Sequence, residues 1–250
     1  MIRADADRDE TKHSQRPQGQ AGSATKSVCI ILPALNEEGT VGQVIDEVPV
    51  DELRQSGYTV EIVVVDDGSD DATAEVARQR GARVITEAER GKGRAVRRAL
   101  DGVCADYLVM LDADFTYPCS YIPTMLRKLD EGFDVVEGSR LKGTRAPGSI
   151  SKFNMLGNHL LTAAAVFLYG VRTSDLCTGY WAFKGEVPRG LDLRANGFTL
   201  EAELYTRIAK KGLRLGEIPI HYRRRPTPTK LRVVRDGFRI GWTLVKNRFV

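Results

Sequence analysis

The sequence predicts an α/β fold, a mainly parallel sheet with helices on both faces, and three observations carry the prediction. Continuous apolar runs at 28–32, 62–65 and 107–111, with a shorter one at 134–136, have the pattern of strands buried on both faces. Helix-length segments at 37–48, 70–80, 92–102 and 122–131 separate them, so strand and helix alternate as in βαβ units. The three longer runs end in polar clusters: Asn36-Glu37-Glu38, Asp66-Asp67-Gly68-Ser69 and Asp112-Ala113-Asp114. In parallel sheets the ligand crevice lies at the carboxyl ends of the strands, so these clusters are expected to converge on one edge.

In chain order, residues 1–26 are polar, hold few large apolar groups and read as a disordered tail, with no apolar segment that would make them a secretory signal. The first strand run is stopped by Pro33. After about Ser139 the alternation breaks into a Gly/Pro/Lys/Arg-rich loop at 141–149, followed by an apolar helix through Val171. A strand at 178–183, a helix at 200–211, a strand at 213–222 and a last helix from about Lys230 complete the pattern. The division expected is therefore the tail, one domain over 27–229 with a C-terminal extension, and a terminal helix over 230–250.

In that terminal helix Leu231, Val234, Phe238, Trp242, Val245 and Phe249 recur at spacings of three and four, while Arg232, Arg235, Arg239 and Lys246 point elsewhere. Such a basic amphipathic helix either packs its apolar side on the protein's own core, the commoner outcome, or lies in a membrane interface. The helix after the loop, apolar over 160–171, is expected to be buried in the core, with a lipid groove as the other reading.

The chain has 250 residues, 42% hydrophobic and 28% charged, which excludes small disulfide scaffolds and wholly disordered chains. No run approaches the ~20 apolar residues of a membrane-spanning helix. Four dispersed cysteines form no CxxC pair and read as reduced thiols of a cytoplasmic protein. The net charge of +4 hides an asymmetry: residues 1–125 hold 14 Lys and Arg against 22 Asp and Glu, residues 126–250 hold 23 against 11. An acidic front half suits a metal, and a basic back half suits phosphates or an anionic surface.

Asp112 and Asp114 follow a buried strand, where two carboxylates repel one another unless a cation compensates, and hard oxygen ligands suit Mg²⁺ or Mn²⁺. Such a cation usually completes its shell with water and a substrate's phosphates, so a nucleotide diphosphate is the natural ligand. Asp66 and Asp67 stand where they can receive the base or ribose of a nucleoside, although Ser69 or Asp70 also reads as a helix cap. Arg90-Gly91-Lys92-Gly93-Arg94 opens the next helix as a cradle for a diphosphate.

Together these segments resemble family 2 glycosyltransferases with the GT-A fold, a Rossmann-like sheet with a C-terminal acceptor-side extension. The matching residues are Pro33 through Glu38, Val65 through Ser69, Gly91-Lys92-Gly93, Asp112-Ala113-Asp114 and Gly138-Ser139-Arg140. Within that family the chain is most similar to dolichol-phosphate mannose synthases and related polyprenyl-phosphate glycosyltransferases. Asp175 through Tyr180, Gly197-Phe198, Glu203-Leu204, Gly216 through Ile220 and the Arg-rich stretch before Lys230 carry this likeness. The resemblance implies that Asp112 and Asp114 hold the metal and the donor diphosphate, with Pro33, Asn36, Glu37, Asp66, Asp67 and Lys92 around the nucleotide-sugar. It also implies that Arg140, Arg225 and Lys230 handle donor or acceptor phosphates; for the acceptor phosphate Lys152 of the basic back half is a further candidate beside them. Three positions depart from the pattern: Thr116 where a metal-ligating Gln is common, Trp181 where an Arg is usual, and a shortened 226–229.

The expected reaction is inverting, metal-dependent transfer of one sugar from a nucleotide-sugar to a polyprenyl phosphate, with peripheral contact at the inner face of the membrane and no nucleic-acid partner. A phosphate acceptor arrives already anionic and needs cations, for which Arg140, Lys142, Arg145, Lys152 and Arg223 through Arg225 are candidates. The alternative is a soluble enzyme glycosylating a hydroxyl of a small metabolite. That acceptor needs a general base, for which Asp175 and Glu201 are the candidates.

Overall fold

The computed structural model describes residues 25–87, 90–228 and 232–249. Residues 1–24 of the expected tail lie outside them, as does Lys230. Lys26, assigned to the tail, instead opens β1 (Lys26–Ala34) and pairs with Asp130.

Seven strands form one sheet: β1, β2 (Tyr58–Asp66), β3 (Arg83–Thr86), β4 (Tyr107–Met110), β5 (Val135–Ser139), β6 (Trp181–Lys184) and β7 (Leu215–Pro219), in the order β3-β2-β1-β4-β6-β5-β7. All pairings are parallel except those of β6, which runs antiparallel between β4 and β5. β1 explains the doubly buried pattern. Val28, Ile30 and Leu32 face one layer and Cys29 and Ile31 the other, all buried. The first layer holds α1 (Val41–Glu47), α2 (Val50–Gln55), α3 (Thr73–Gln79) and α5 (Ile122–Asp130). The opposite layer holds α4 (Lys92–Gly102), α7 (Val187–Gly190) and α8 (Leu200–Lys210).

The helices at 37–48 and 70–80 begin later than expected, at Val41 and Thr73, because the preceding polar residues form the crevice loops. β3 and α2 were not anticipated. β3 is a four-residue edge strand of mixed exposure, and α2 follows α1 across Val48-Pro49 without a polar break. The strand expected at 178–183 is β6, shifted so that Thr178 through Tyr180 form a loop. Trp181, which stands where an Arg is usual in similar sequences, is fully buried: its indole N–H donates to the Thr178 carbonyl at 2.8 Å and its ring stacks on Phe183.

Two long helices pack together beside α8: α6 (Lys152–Tyr169), capped by the Ser151 hydroxyl, and α9 (Val233–Phe249). Here the core expectation fails. α9 buries Asp236, Ile240 and Leu244, and its Val234, Phe238, Trp242, Val245 and Phe249 are exposed. α6 buries Asn158, Thr162 and Ala165 and exposes Phe153, Leu156, Leu160 and Phe167, the last at 89%. α6 turns a polar and small stripe to the protein and α9 a mixed one, and both leave their larger apolar and aromatic residues outside.

Trp181→Ala is expected to cost about 3–5 kcal/mol of stability, the range for deleting a buried aromatic. Urea unfolding followed by circular dichroism checks this, and a loss within experimental error would contradict the placement of β6.

Candidate active site

The carboxyl ends of β1, β2 and β4 meet as expected, and the loops that follow them line a cavity of about 270 Å³. Pro33 and Glu37 come from the β1 end, Asp67 from the β2 end, Lys92 from the start of α4, and Asp112 and Asp114 from the β4 end. The Asp67 carboxylate accepts the Gly91 N–H at 2.7 Å, which ties the β2 loop to the turn before α4. Burial pushes the Asp67 carboxyl above its usual range. Gly91 has φ 151°, and a Cβ there would stand 2.0 Å from the Asn196 carbonyl oxygen, so only glycine closes this corner.

Asp112 and Asp114 are neutralised from opposite ends of the chain. Lys92 Nζ lies 2.6 Å from Asp112 Oδ1 and 2.7 Å from Glu201 Oε1. Burial opposes the Lys92 charge, yet the two carboxylates hold its pKa above the ordinary value. Arg225 Nη1 lies 3.1 Å from Asp114 Oδ2, while its Nη2 pairs with Glu37. Burial and the Asp112 charge push the Asp114 carboxyl up, against the pull of Arg225. Thr116 donates both its N–H, at 3.1 Å, and its hydroxyl, at 2.5 Å, to Asp114 Oδ1, so it orients this carboxylate.

The donor set fits a hard divalent cation. Asp112 Oδ2 faces Gly179, where a Cβ would stand 2.5 Å from it, so the bare backbone leaves the carboxylate its place. Among the described residues no group of three or more His, Cys, Asp or Glu side chains forms a metal cage. A cation on this pair would therefore draw its remaining oxygens from phosphate and water, as Mg²⁺ and Mn²⁺ commonly do.

A second cavity of about 280 Å³ shares Lys92, Asp112, Asp114, Phe198 and Arg225 with the first. It runs past Arg140, Glu201, Tyr117 and Tyr222 and then between α6 and α9, where Ile150, Leu161, Val233 and Ile240 line it. Arg140 is held by a fully buried Asp175: Nε donates to Oδ2 at 2.7 Å and Nη2 to Oδ1 at 2.6 Å. The Arg140 N–H and the Asn158 amide donate to the same carboxylate, at 2.9 and 2.5 Å. Burial pushes Asp175 up, but Arg140 and these hydrogen bonds outweigh it and hold the carboxyl below its usual range. Asp175 is thus a clamp on Arg140, and the reading of it as a catalytic base fails: a base needs a raised pKa and a free lone pair.

Other expected residues are used elsewhere. Asp66 accepts the Ser69 N–H at 3.1 Å and shapes its own turn. Asn36, at φ 48°, accepts the Asp70 N–H at 2.9 Å on its side chain and donates its own N–H to the Ser69 hydroxyl oxygen at 2.9 Å, joining two loops outside the cavity lining. Lys152 is exposed at the start of α6 and lines neither cavity. Lys142 pairs with Glu217, Arg145 donates to the carbonyls of Arg140 and Leu141, and Arg223 grips Glu47 with both Nη groups. Glu203 accepts the N–H groups of Arg194 and Ala195, at 2.8 and 2.6 Å, and organises the loop before α8. Tyr117 and Tyr222 stand edge to face with ring centroids 5.1 Å apart; they are 105 residues apart in the chain, so no local motif joins them.

Comparison with known proteins follows the same lines. The family model for glycosyl transferase family 2 matches residues 29–187. Glycosyltransferase AglJ of Haloferax volcanii is 37% identical over 214 residues, covering 84% of this chain and 68% of that protein. The dolichyl-phosphate hexose transferase of the same organism is 36% identical over 219 residues, covering 88% and 92%. Among solved structures, glucosyl-3-phosphoglycerate synthase from Mycobacterium tuberculosis, in complex with Mn²⁺, UDP-glucose and phosphoglyceric acid, superposes with a TM-score of 0.74 at 24% identity, covering 94% of this chain and 86% of that one. Because the family match takes in every strand-end cluster and the Haloferax relatives continue it toward the C-terminus, the chain belongs to glycosyl transferase family 2 and is a glycosyltransferase of the GT-A fold.

Proposed function

We propose that this enzyme moves one sugar from a nucleotide-sugar onto a polyprenyl phosphate, with inversion at the anomeric carbon. One observation carries the reading. The second cavity carries Arg140 and Arg225 at its inner end, beside the Asp112, Asp114 and Glu201 carboxylates, and apolar residues at its outer end, where it opens between two helices with exposed aromatic faces. A phosphate with an apolar tail fits that gradient. The Haloferax relative named a dolichyl-phosphate hexose transferase supports it.

The first cavity then takes the nucleotide, with Asp67 toward the nucleoside and Lys92 toward the diphosphate. Asp112 and Asp114 would hold a divalent cation, Mg²⁺ or Mn²⁺, which supplies electrostatic stabilisation of the departing diphosphate. Lys92 and Arg225 sit on carboxylates in the free enzyme and add positive charge beside the same leaving group. Arg140 carries five N–H donors, of which Asp175 engages those on Nε and Nη2 that fix its plane, and the rest serve the acceptor phosphate. An acceptor oxygen attacks the anomeric carbon as the bond to the diphosphate breaks. The phosphate is already ionised near neutral pH and needs no protein base.

A hydroxyl acceptor would need such a base, and of the candidates Asp175 is spent on Arg140, while Glu201 is paired with Lys92 in the free enzyme. The exposed faces of α6 and α9, flanked by Arg235, Arg239 and Lys246, also suit a peripheral seat on an anionic membrane, where the tail of the acceptor resides.

The test is a panel of nucleotide-sugars offered with a short prenyl phosphate in solution, a long one in anionic vesicles, and a water-soluble alcohol, read by mass spectrometry. Product on both prenyl phosphates is expected, with Trp242→Glu lowering transfer in vesicles more than transfer in solution. Product on the alcohol alone would overturn the proposal.

Asp175→Ala should cost about 3–5 kcal/mol in urea unfolding, because it leaves a buried guanidinium unpaired. The depressed Asp175 pKa gives the sign of the pH dependence. The pair's contribution is complete above the unfolded carboxylate value, near about 4, and is lost only as pH falls through the lower folded value. Unchanged stability with lost turnover would instead restore Asp175 as a base.

A further inference from the structure

We infer that Phe198 is the residue that decides between transfer and hydrolysis, by keeping water from the anomeric carbon. This rests on the reading above, in which the nucleotide fills the first cavity and the acceptor the second.

Five side chains are common to both cavities and so surround the place where the sugar changes hands. Lys92, Asp112, Asp114 and Arg225 are charged and attract water; Phe198 alone is apolar. Water competes with any scarce acceptor at a carbon whose leaving group is activated. In hydrolysis a water oxygen bonds to the anomeric carbon, the bond to the diphosphate breaks, nucleoside diphosphate leaves with the electron pair, and the water's proton passes to solvent. An apolar ring over this junction removes a position from which water can attack without contributing a polar group of its own.

The ring is set in place by its loop. Glu203 fixes the N–H groups of Arg194 and Ala195, Arg97 donates to the Ala195 carbonyl at 2.9 Å and to the Asn196 side chain at 2.8 Å, and Leu193 and Ala195 pack on the core. The Gly91 corner, which meets the Asn196 carbonyl, docks the same loop on the start of α4. Phe198 thus follows a loop braced by Glu203, Arg97, the core and the Gly91 corner, and lines the junction of the two cavities.

The experiment measures nucleoside diphosphate released and glycosylated product formed by the wild type and by Phe198→Leu, Phe198→Val and Phe198→Ala, each with and without a short prenyl phosphate. The ratio of hydrolysis to transfer should climb as the side chain shrinks, staying near the wild-type value for Leu and rising about tenfold or more for Ala. A ratio that stays flat across the series while both rates fall together would overturn the inference, since a merely structural role slows both equally. The arms without acceptor separate the two claims. A wild type that makes no prenyl product contradicts the proposed acceptor, whereas donor hydrolysis that does not rise from Leu to Ala contradicts the role of Phe198.

Discussion

Charge compensation at the end of β4 is the constraint on which this molecule turns. Two aspartates two residues apart at the mouth of a buried strand repel each other, and the free enzyme answers with one cation from each half of the chain. Lys92 enters at the start of α4 and Arg225 from the segment after β7. Because the second cation is distant in sequence, the donor cavity is complete only when the C-terminal extension has folded over it. The same two cations have an obvious second use, since a nucleotide diphosphate arriving with a divalent ion offers them more negative charge than the carboxylates they hold. In the proposed reaction the cleft would work as an exchange site, in which internal ion pairs give way to pairs to the ligand.

The antiparallel insertion of β6 brings the acceptor side to this centre. By running backward between β4 and β5 it sets the loop at its start against both neighbours. Gly179 then faces the Asp112 carboxylate, and Asp175 reaches Arg140 just beyond β5. One short strand thereby links the Asp112 carboxylate to Arg140, the residues proposed to meet the cation and the second anion. A further polar knot lies behind it, where Thr173 donates to the buried Glu137 and Ser174 to Glu217. This gives the Asp175 segment a firm footing.

Sequence alone made most of the parallel core legible, because strands buried on both faces leave an uninterrupted apolar run and β1, β2 and β4 have one. It also singled out Asp67, Lys92, Asp112, Asp114, Arg140 and Arg225, each in a short motif with a chemical reason to be there, and these residues line the two cavities. What escaped has physical causes. β3 is a half-exposed edge of four residues, too short to show a period. Asp175 is an acid whose meaning depends on a partner 35 residues away, and only packing reveals that Arg140 consumes it. α9 carries two stripes: the eye takes the aromatic one for the core, while the protein buries Ile240 and Leu244 with Asp236. Asn36 and Asp66, expected at the nucleotide, stand outside the cavity lining and accept N–H groups within the loops that hold it open, which only the folded loops reveal.

The central claim is that Asp112 and Asp114 bind a nucleoside diphosphate through a divalent cation. Calorimetric titration of GDP and UDP into the protein, with Mn²⁺ present and then with chelator, tests it directly. The account predicts saturable binding of at least one nucleotide with the cation and at least a tenfold weaker affinity, about 1.4 kcal/mol, in chelator or in Asp114→Ala. Equal affinity in all three conditions would contradict it.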